Sequence, residues 1–376
     1  FPAGYSRRYR SGYRIAALRA NTEVAHTRKP QYAQAPASRK KSPASATPAQ
    51  IENTLKTAQA QAPDDFTTNQ RLGAFYLQQG KLTAAIPYLE RARRIDPSHY
   101  NNGFDLALAL AQTGAHAPAR TIIQQLLSVR ETAELHNLLG EIEEKAGNGQ
   151  AAAAAYYRAA QLDPAETNLL DLGNILIRLS AFDEAEKIIR YGLEKYPRSA
   201  RLQIGMGILY YSRGQYPEAI RTLCQASDLD PADARPYLFL GEMWGVDAGL
   251  ADEVTRRMER FTRLHPREAK AHFYYAMSQW KGKGTPDPKA NLALIETLLQ
   301  KALRLDPALA DAHYELGFLY SDQNRNTLAV QSLRRAITLR PEMEKAHYRL
   351  AQLYQRTGQP DLAAREMEIY QKLKKQ

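Results

Sequence analysis

The residues best suited to chemistry in this chain are its histidines. Four of the eight, His136, His272, His313 and His347, each lie four residues before a small residue that recurs along the chain. Successive members such as His313 and His347 belong to different predicted helices, whose axes are at least about 8–10 Å apart, too far to share one metal ion. The spacing therefore predicts a packing role for these imidazoles and no metal site.

Other motifs for catalysis or phosphate binding are missing from the sequence. It contains no HExxH, GxSxG or P-loop pattern, and Lys281-Gly-Lys-Gly-Thr lacks the order that a P-loop requires. Cys224 is the only cysteine, so the chain can form neither an internal disulfide nor a thiolate zinc cluster. We therefore expect no enzymatic activity, no cofactor and no small-molecule substrate.

The positive charge of the chain is concentrated at its start. Residues 1–50 carry ten of the 51 Lys and Arg residues and one acid, Glu23, so 41 basic and 39 acidic residues remain elsewhere. This segment is rich in Arg, Lys, Ala, Pro, Ser and Gln and has few large aliphatic residues. Such a composition cannot bury enough apolar surface to offset its ordering entropy. Residues 1–50 are predicted to be a disordered basic arm.

Two interpretations of this arm are open. Its alternation of Arg with Tyr, as in Tyr5-Ser-Arg-Arg-Tyr-Arg and Tyr13-Arg14, suits contacts with phosphates and weak stacking on bases. On that reading the arm tethers the protein to nucleic acid or to an anionic lipid surface while the rest of the chain holds a cargo. On the other reading it is a solubilising linker or the remainder of a targeting segment.

No apolar run approaches the roughly 18 residues needed to cross a membrane. The stretch Ile15 to Leu18 is also too short for the apolar core of a signal peptide, which is about 7–15 residues. The chain starts at Phe1 rather than Met, which is compatible with an upstream export signal. We expect a soluble protein and leave open whether it is cytoplasmic or exported.

Beyond the arm the sequence repeats with a period of about 34 residues. Each period holds an apolar stripe at helical spacing, a turn residue such as Gly80 or Gly214, and a second amphipathic stretch that most often ends near a proline. Proline cannot continue a helix, so one period predicts two helices joined by a short turn. The column of small residues is Gly73, Ala107, Gly140, Gly173, Gly207, Gly241, Ala276, Gly317 and Ala351.

This pattern resembles the tetratricopeptide repeat. The eighth period shows the typical residues Leu316, Gly317, Tyr320, Ala329, Leu333, Ala336 and Pro341. The resemblance implies an all-α, right-handed α-solenoid of about nine helix-turn-helix repeats over residues 63–376, with an enlarged turn at 281–291. Residues 51–62 are predicted to form a capping helix. In this arrangement small residues are needed where two helices of a repeat approach closely.

The resemblance also implies a groove for binding another protein. Residues three before, one after and four after the small column share one helical face, which lines the concave surface in this family. Those positions are unusually apolar and aromatic, which favours binding, although the alternative is that several only pack against the next repeat. The predicted groove residues are Phe104, Leu108, Leu170, Asn174, Ile177, Ile204, Ile208, Tyr211, Leu238, Glu242, Phe273, Met277, Trp280, Tyr314, Phe318, Tyr348 and Gln352.

The sequence thus predicts a scaffold or adaptor that binds a peptide or helix of a partner protein through apolar anchors, by presenting a continuous surface. The last predicted helix ends in Tyr370-Gln-Lys-Leu-Lys-Lys-Gln, and no further helix follows it in this sequence. Self-association through that end is a second expected contact. The identity of the partner is not encoded in the repeat pattern.

Overall fold

The computed structural model of the protein describes residues 47–281 and 288–375. Within those ranges the chain forms nineteen helices and no strand, so the predicted all-α class is confirmed. The helices are α1 (Pro48–Gln61), α2 (Phe66–Gln78), α3 (Leu82–Ile95), α4 (Tyr100–Gln112), α5 (His116–Val129), α6 (Ala133–Lys145), α7 (Gly149–Leu162), α8 (Glu166–Arg178), α9 (Phe182–Lys195), α10 (Ala200–Arg213), α11 (Tyr216–Leu229), α12 (Arg235–Glu242), α13 (Ala251–Leu264), α14 (Ala269–Lys281), α15 (Pro288–Leu305), α16 (Ala310–Asp322), α17 (Asn326–Leu339), α18 (Glu344–Arg356) and α19 (Pro360–Lys375).

The helices fall into two compact units, the first ending at Pro197 and the second beginning at Arg198. The first unit holds α1 and four helix pairs, α2 to α9, and the second holds five pairs, α10 to α19. Of the arm predicted for residues 1–50, all but the last four residues lie outside the described part of the chain, and α1 already begins at Pro48. The predicted enlarged turn at 281–291 also lies largely outside it.

Local sequence signals start and stop the helices. The side chain of Thr47 accepts a hydrogen bond from the backbone N–H of Gln50, and the Gln50 side chain accepts one from the backbone N–H of Thr47, which makes a capping box for α1. Asp65 caps α2 by accepting from the backbone N–H of Thr68 at 2.8 Å. Such caps satisfy backbone donors that have no partner inside a helix.

In the eight pairs whose turn lies in the described part of the chain, the turn contains one residue in the left-handed region. Glycine occupies it with a positive φ in most repeats, as the sequence predicts for Gly80 and Gly214. In two repeats the position belongs to Ser180, with φ 61°, and Asn324, with φ 59°. A side chain is disfavoured in this region, so these two turns are held in a strained backbone conformation by the helices on either side.

The small column lies where the two helices of a repeat touch. In the first repeat Gly73 on α2 faces Leu89 on α3, and a Cβ atom on Gly73 would lie 2.6 Å from Leu89 Cγ. The predicted close approach is therefore observed. The same relationship joins Gly140 to Tyr156, Gly173 to Ile189, Gly207 to Leu223 and Gly317 to Leu333.

The sixth repeat departs from this rule. Gly241 faces Tyr274 of the following repeat instead of a residue on its own second helix. The cause is the shortness of α12, which has eight residues, and the segment from Met243 to Leu250 that separates it from α13. Phe261, a bulky residue where the repeat pattern usually has Ala, is fully buried and stacks on Tyr237 with ring centroids 4.9 Å apart.

Candidate protein-binding groove

The predicted groove residues lie on the first helices of seven of the nine pairs, α4, α8, α10, α12, α14, α16 and α18, at positions that share one helical face. Six of the seventeen are buried, with at most 5% of the side chain exposed. A buried residue contacts a ligand only after rearrangement, so the packing alternative applies at these positions. They are Leu170, Asn174, Ile177, Ile204, Ile208 and Met277.

In the first unit the remaining predicted residues are Phe104 and Leu108 on α4. Both are half-buried and pack against the core of the first repeats. Phe104 also stacks on Tyr100, with ring centroids 6.4 Å apart and ring planes 16° apart. In this unit the accessible aromatic surface is therefore the stacked pair on α4, and the other predicted groove residues are buried.

Two predicted residues near the sixth repeat make internal contacts. Tyr211 on α10 lies edge-on to Phe239 on α12, with ring centroids 6.3 Å apart. The carboxylate of Glu242 accepts a hydrogen bond from the hydroxyl of Tyr274, and burial raises the pKa of Glu242 above its usual range. Leu238 on α12 is half-buried. Glu242 is thus engaged in joining neighbouring repeats.

The later repeats bring aromatic residues together on α14, α16 and α18. Trp280 and Phe318 come from neighbouring repeats, and their rings lie 5.4 Å apart. Tyr348 is 40% exposed and lies 5.0 Å from the ring of Tyr370 on α19. Gln352 is exposed, one helical turn beyond Tyr348. We call the set Phe273, Trp280, Tyr314, Phe318 and Tyr348 the aromatic face.

Phe273, Trp280, Tyr314 and Phe318 are half-buried in this face, and Phe273, Trp280 and Tyr314 pack against the core of the second unit. Their inner edges are fixed by the core while their outer edges remain accessible. Aromatic side chains held in this way offer a large contact area at little cost in conformational entropy.

Cations lie over two of these rings, and the periodicity argument missed both. Lys345 Nζ is 4.2 Å from the ring centroid of Tyr314, and Arg349 Cζ is 4.2 Å from that of Phe318. Arg349 lies two residues before Ala351 of the small column. The columns used to find the groove omit that position, although it faces the preceding repeat.

Three of the four predicted histidines bond to the turn before their helix, whereas His136 Nε2 lies 2.8 Å from a carboxylate oxygen of Glu131. His272 Nε2 lies 3.0 Å from the carbonyl oxygen of Pro266, and His313 Nε2 lies 3.2 Å from that of Pro307. Asn69 makes the equivalent bond in the first repeat, with Nδ2 donating to Pro63 at 2.7 Å. In these repeats the residue four before the small column thus donates to a carbonyl in the turn that precedes its helix.

His347 adds a second contact to this bond. Its Nε2 lies 2.9 Å from the carbonyl oxygen of Pro341, and its Nδ1 lies 2.6 Å from a carboxylate oxygen of Glu366 on α19. The imidazole therefore joins the turn before α18 to the last helix. Across residues 47–281 and 288–375 no three His, Cys, Asp or Glu side chains are grouped as a metal site would need.

Two family models match parts of the chain. One, described as a tetratricopeptide repeat, matches residues 76–142, and the other, described as a TPR repeat, matches residues 207–243 and 319–358. With the paired helices and the column of small residues, they define a helical-repeat protein of the protein-interaction class. The chain therefore contains tetratricopeptide repeats over the matched residues. No helix in its described part has the length and apolar character needed to span a membrane.

Two curated relatives match part of the chain. Human protein O-mannosyl-transferase TMTC1 is 28% identical over 155 residues, or 39% of this chain and 18% of the human protein. Mouse superkiller complex protein 3 is 31% identical over 103 residues, or 27% of this chain and 6% of the mouse protein. The chain thus spans less than a fifth of the length of either relative.

Solved structures with a similar arrangement include YrrB, described as a TPR protein with an unusual peptide-binding site. It has a TM-score of 0.41 and 18% identity over 49% of this chain and 96% of YrrB. Yeast Tom70 has a TM-score of 0.43 and 13% identity over 96% of this chain and 92% of Tom70. At these values the likeness carries no argument about function.

Proposed function

We propose that the protein is a non-catalytic scaffold whose aromatic face binds a short segment of a partner protein. The segment lies along α14, α16 and α18, in extended or helical form, and places apolar side chains against the rings. The observation that carries this proposal is the pair Trp280 and Phe318, whose rings lie 5.4 Å apart across two repeats.

The burial of the rings supports this function. A side chain half-buried in its own protein loses less freedom on binding than an exposed one, so more of the contact energy appears as affinity. The partner's apolar residues would cover ring edges that the fold leaves accessible, and Trp and Tyr are the residue types that most often dominate such contacts. The aromatic face therefore supplies anchors for an apolar segment.

The proposed mechanism needs no chemical step. Each repeat contacts mainly its neighbours, so the array presents its side chains at fixed intervals. A segment that places apolar residues at matching intervals gains contacts in several repeats at once. Selectivity would then depend on the spacing of the anchors as well as on their type.

The test uses a phage-displayed library of random twelve-residue peptides selected on the full-length protein. We expect peptides with at least two large apolar residues, and a Trp280→Ala, Phe318→Ala double variant should lose at least about tenfold in affinity for them. The matched control is Tyr157→Ala, Tyr191→Ala, which removes two aromatic side chains that are 52% and 48% exposed in the first unit.

Circular dichroism and thermal melting would show that both double variants keep the fold. The proposal fails if the library yields no selective binders, or if the Trp280→Ala, Phe318→Ala variant binds them as the unmodified protein does.

A further inference from the structure

Arg349 occupies an uncommon environment on the aromatic face. It lies on α18, is half-buried, and places its guanidinium carbon 4.2 Å from the centre of the Phe318 ring. Phe318 in turn contacts Trp280, so the three side chains form one cluster drawn from three successive repeats. Contact with the ring face stabilises the cation after partial removal from water.

The guanidinium of Arg349 has no anion beside it. Within residues 47–281 and 288–375 it makes no hydrogen bond and no ion pair. Its N–H donors lie at the edge of the guanidinium, so contact with the ring through the carbon does not use them. Arg349 therefore offers a set of donors arranged for a carboxylate, next to an apolar surface.

The neighbouring cation shows the contrasting case. Lys345, one turn earlier on α18, lies 3.5 Å from a carboxylate oxygen of Asp311 and 3.8 Å from one of Glu315. Asp311 is also held by Arg340 at 2.8 Å. Asp311 and Glu315 are thus already paired with other cations, whereas Arg349 remains a cation that a ligand can neutralise.

The net charge of the second unit also favours an acidic ligand. Residues 198–376 contain 27 Lys and Arg residues and 21 Asp and Glu residues. This excess of positive charge favours the approach of an acidic segment and disfavours a basic one.

We propose that the segment bound on the aromatic face carries an aspartate or glutamate beside an apolar anchor. The anchor lies on Trp280 and Phe318, and the carboxylate accepts hydrogen bonds from the Arg349 guanidinium. This inference rests on the proposed function and makes it more specific, because a segment with apolar anchors alone leaves the Arg349 donors unpaired in the complex.

The experiment extends the peptide selection on the full-length protein. Selected peptides should be enriched in Asp or Glu within two positions of an aromatic or aliphatic residue. For a synthetic copy of one such peptide, labelled with fluorescein and followed by fluorescence anisotropy, Arg349→Gln should weaken binding roughly tenfold. Arg334→Gln, which removes an exposed arginine on α17, is the matched control and should leave the affinity unchanged.

A double-mutant cycle isolates the contact. Replacing the acidic residue of the peptide with its amide should weaken binding to the unmodified protein and have little further effect on the Arg349→Gln variant. Arg349→Lys keeps the charge but not the planar donors, so its affinity for the peptide should lie between those of the unmodified protein and the Arg349→Gln variant. Raising the salt concentration should weaken binding to the unmodified protein more than to the Arg349→Gln variant.

The outcomes separate the two proposals. If Trp280→Ala, Phe318→Ala abolishes binding while Arg349→Gln stays within twofold of the unmodified protein, the face binds apolar segments and the acidic contact is wrong. The acidic contact is also wrong if the selected peptides show no enrichment in Asp or Glu. If the aromatic double variant binds normally, the proposed function itself is wrong.

Discussion

Gly73 and Leu89 meet so closely that a single methyl group does not fit between them. A Cβ atom on Gly73 would lie 2.6 Å from both Leu89 Cγ and Leu89 Cδ2. Leu89 is fully buried, so its side chain has little room to withdraw. The distance between α2 and α3 in the first repeat is therefore set by the absence of a side chain at one position.

Gly73→Ala should destabilise the first unit. Overpacking costs about 1–3 kcal/mol, and the better helix propensity of Ala returns at most about 1 kcal/mol, so we expect a net loss of about 1–2 kcal/mol. Urea unfolding followed by circular dichroism would measure it. Gly103→Ala is the control and should cost less, since its nearest obstacle is the tip of the Arg93 side chain at 2.7 Å and the next, two Leu126 methyl groups, lie at 3.1 Å. Equal losses in both variants would contradict this account.

Ser180→Gly should stabilise the same unit. Ser180 has φ 61°, in a region that costs a residue with a side chain about 1 kcal/mol relative to Gly. We expect a rise of that size in the free energy of unfolding, measured by the same titration. Gly147→Ser, at the equivalent turn with φ 83°, is the reciprocal variant and should lower stability similarly. A Ser180→Gly variant less stable than the unmodified protein would be evidence against strain at this turn.

Asp105→Asn should stabilise the protein at neutral pH. Asp105 is 6% exposed, and burial raises its pKa from 3.8 to about 6. The folded state holds this proton more tightly than the unfolded state, so stability decreases as the pH rises from about 4 to about 6 and the penalty is complete above that range. Removing the charge should add about 3 kcal/mol at pH 7.5, since each pKa unit corresponds to about 1.4 kcal/mol.

The pH profile distinguishes this effect from a change in packing. The gain from Asp105→Asn should vanish near pH 2.5, where the carboxyl group is protonated in both states. Asp64→Asn, at an exposed position of the same unit, should show no gain at either pH. A gain from Asp105→Asn that is equal at both pH values would mean that charge is not its cause.

Two histidines should make the second unit sensitive to acid. Burial lowers the pKa of His272 and of His313 below the ordinary value of 6.5. The unfolded state then takes up protons first as the pH falls, so stability is complete above about 6.5 and decreases below it. His272→Asn, His313→Asn keeps a donor for the turn carbonyl, as Asn69 does, and removes the titration.

Thermal melting at pH 7.5 and pH 5.5 would test this effect. The unmodified protein should lose more of its free energy of unfolding than the double variant between these two conditions. An identical loss in both proteins would show that other groups cause the acid sensitivity.

The repeat period and the small column could be predicted from the sequence because each depends on a requirement at a single residue. Gly73, Gly207 and Gly317 leave room for a facing side chain, and Gly80 and Gly214 adopt a positive φ. Such requirements restrict the residue type directly. The histidine role also followed from spacing, although its hydrogen bonds to proline carbonyls did not.

How deeply each predicted groove residue is buried could not be predicted from the sequence. Helical periodicity assigns a residue to a face, but burial depends on how far the next repeat covers that face. Ile208 and Phe318 share one column, yet Ile208 is 1% exposed while Phe318 remains half-buried. The short α12 was also not predicted, and with it the packing of Gly241 against Tyr274 of the next repeat.

The contact between Trp280 and Phe318 joins the first helices of two successive repeats. Its length therefore depends on the pitch at which one repeat follows the other. A ligand that contacts both rings would restrain the two repeats and keep that pitch fixed. Its binding free energy would raise the free energy of unfolding of these repeats. The fluorescence emission of the Trp280 indole would report both the binding and the unfolding.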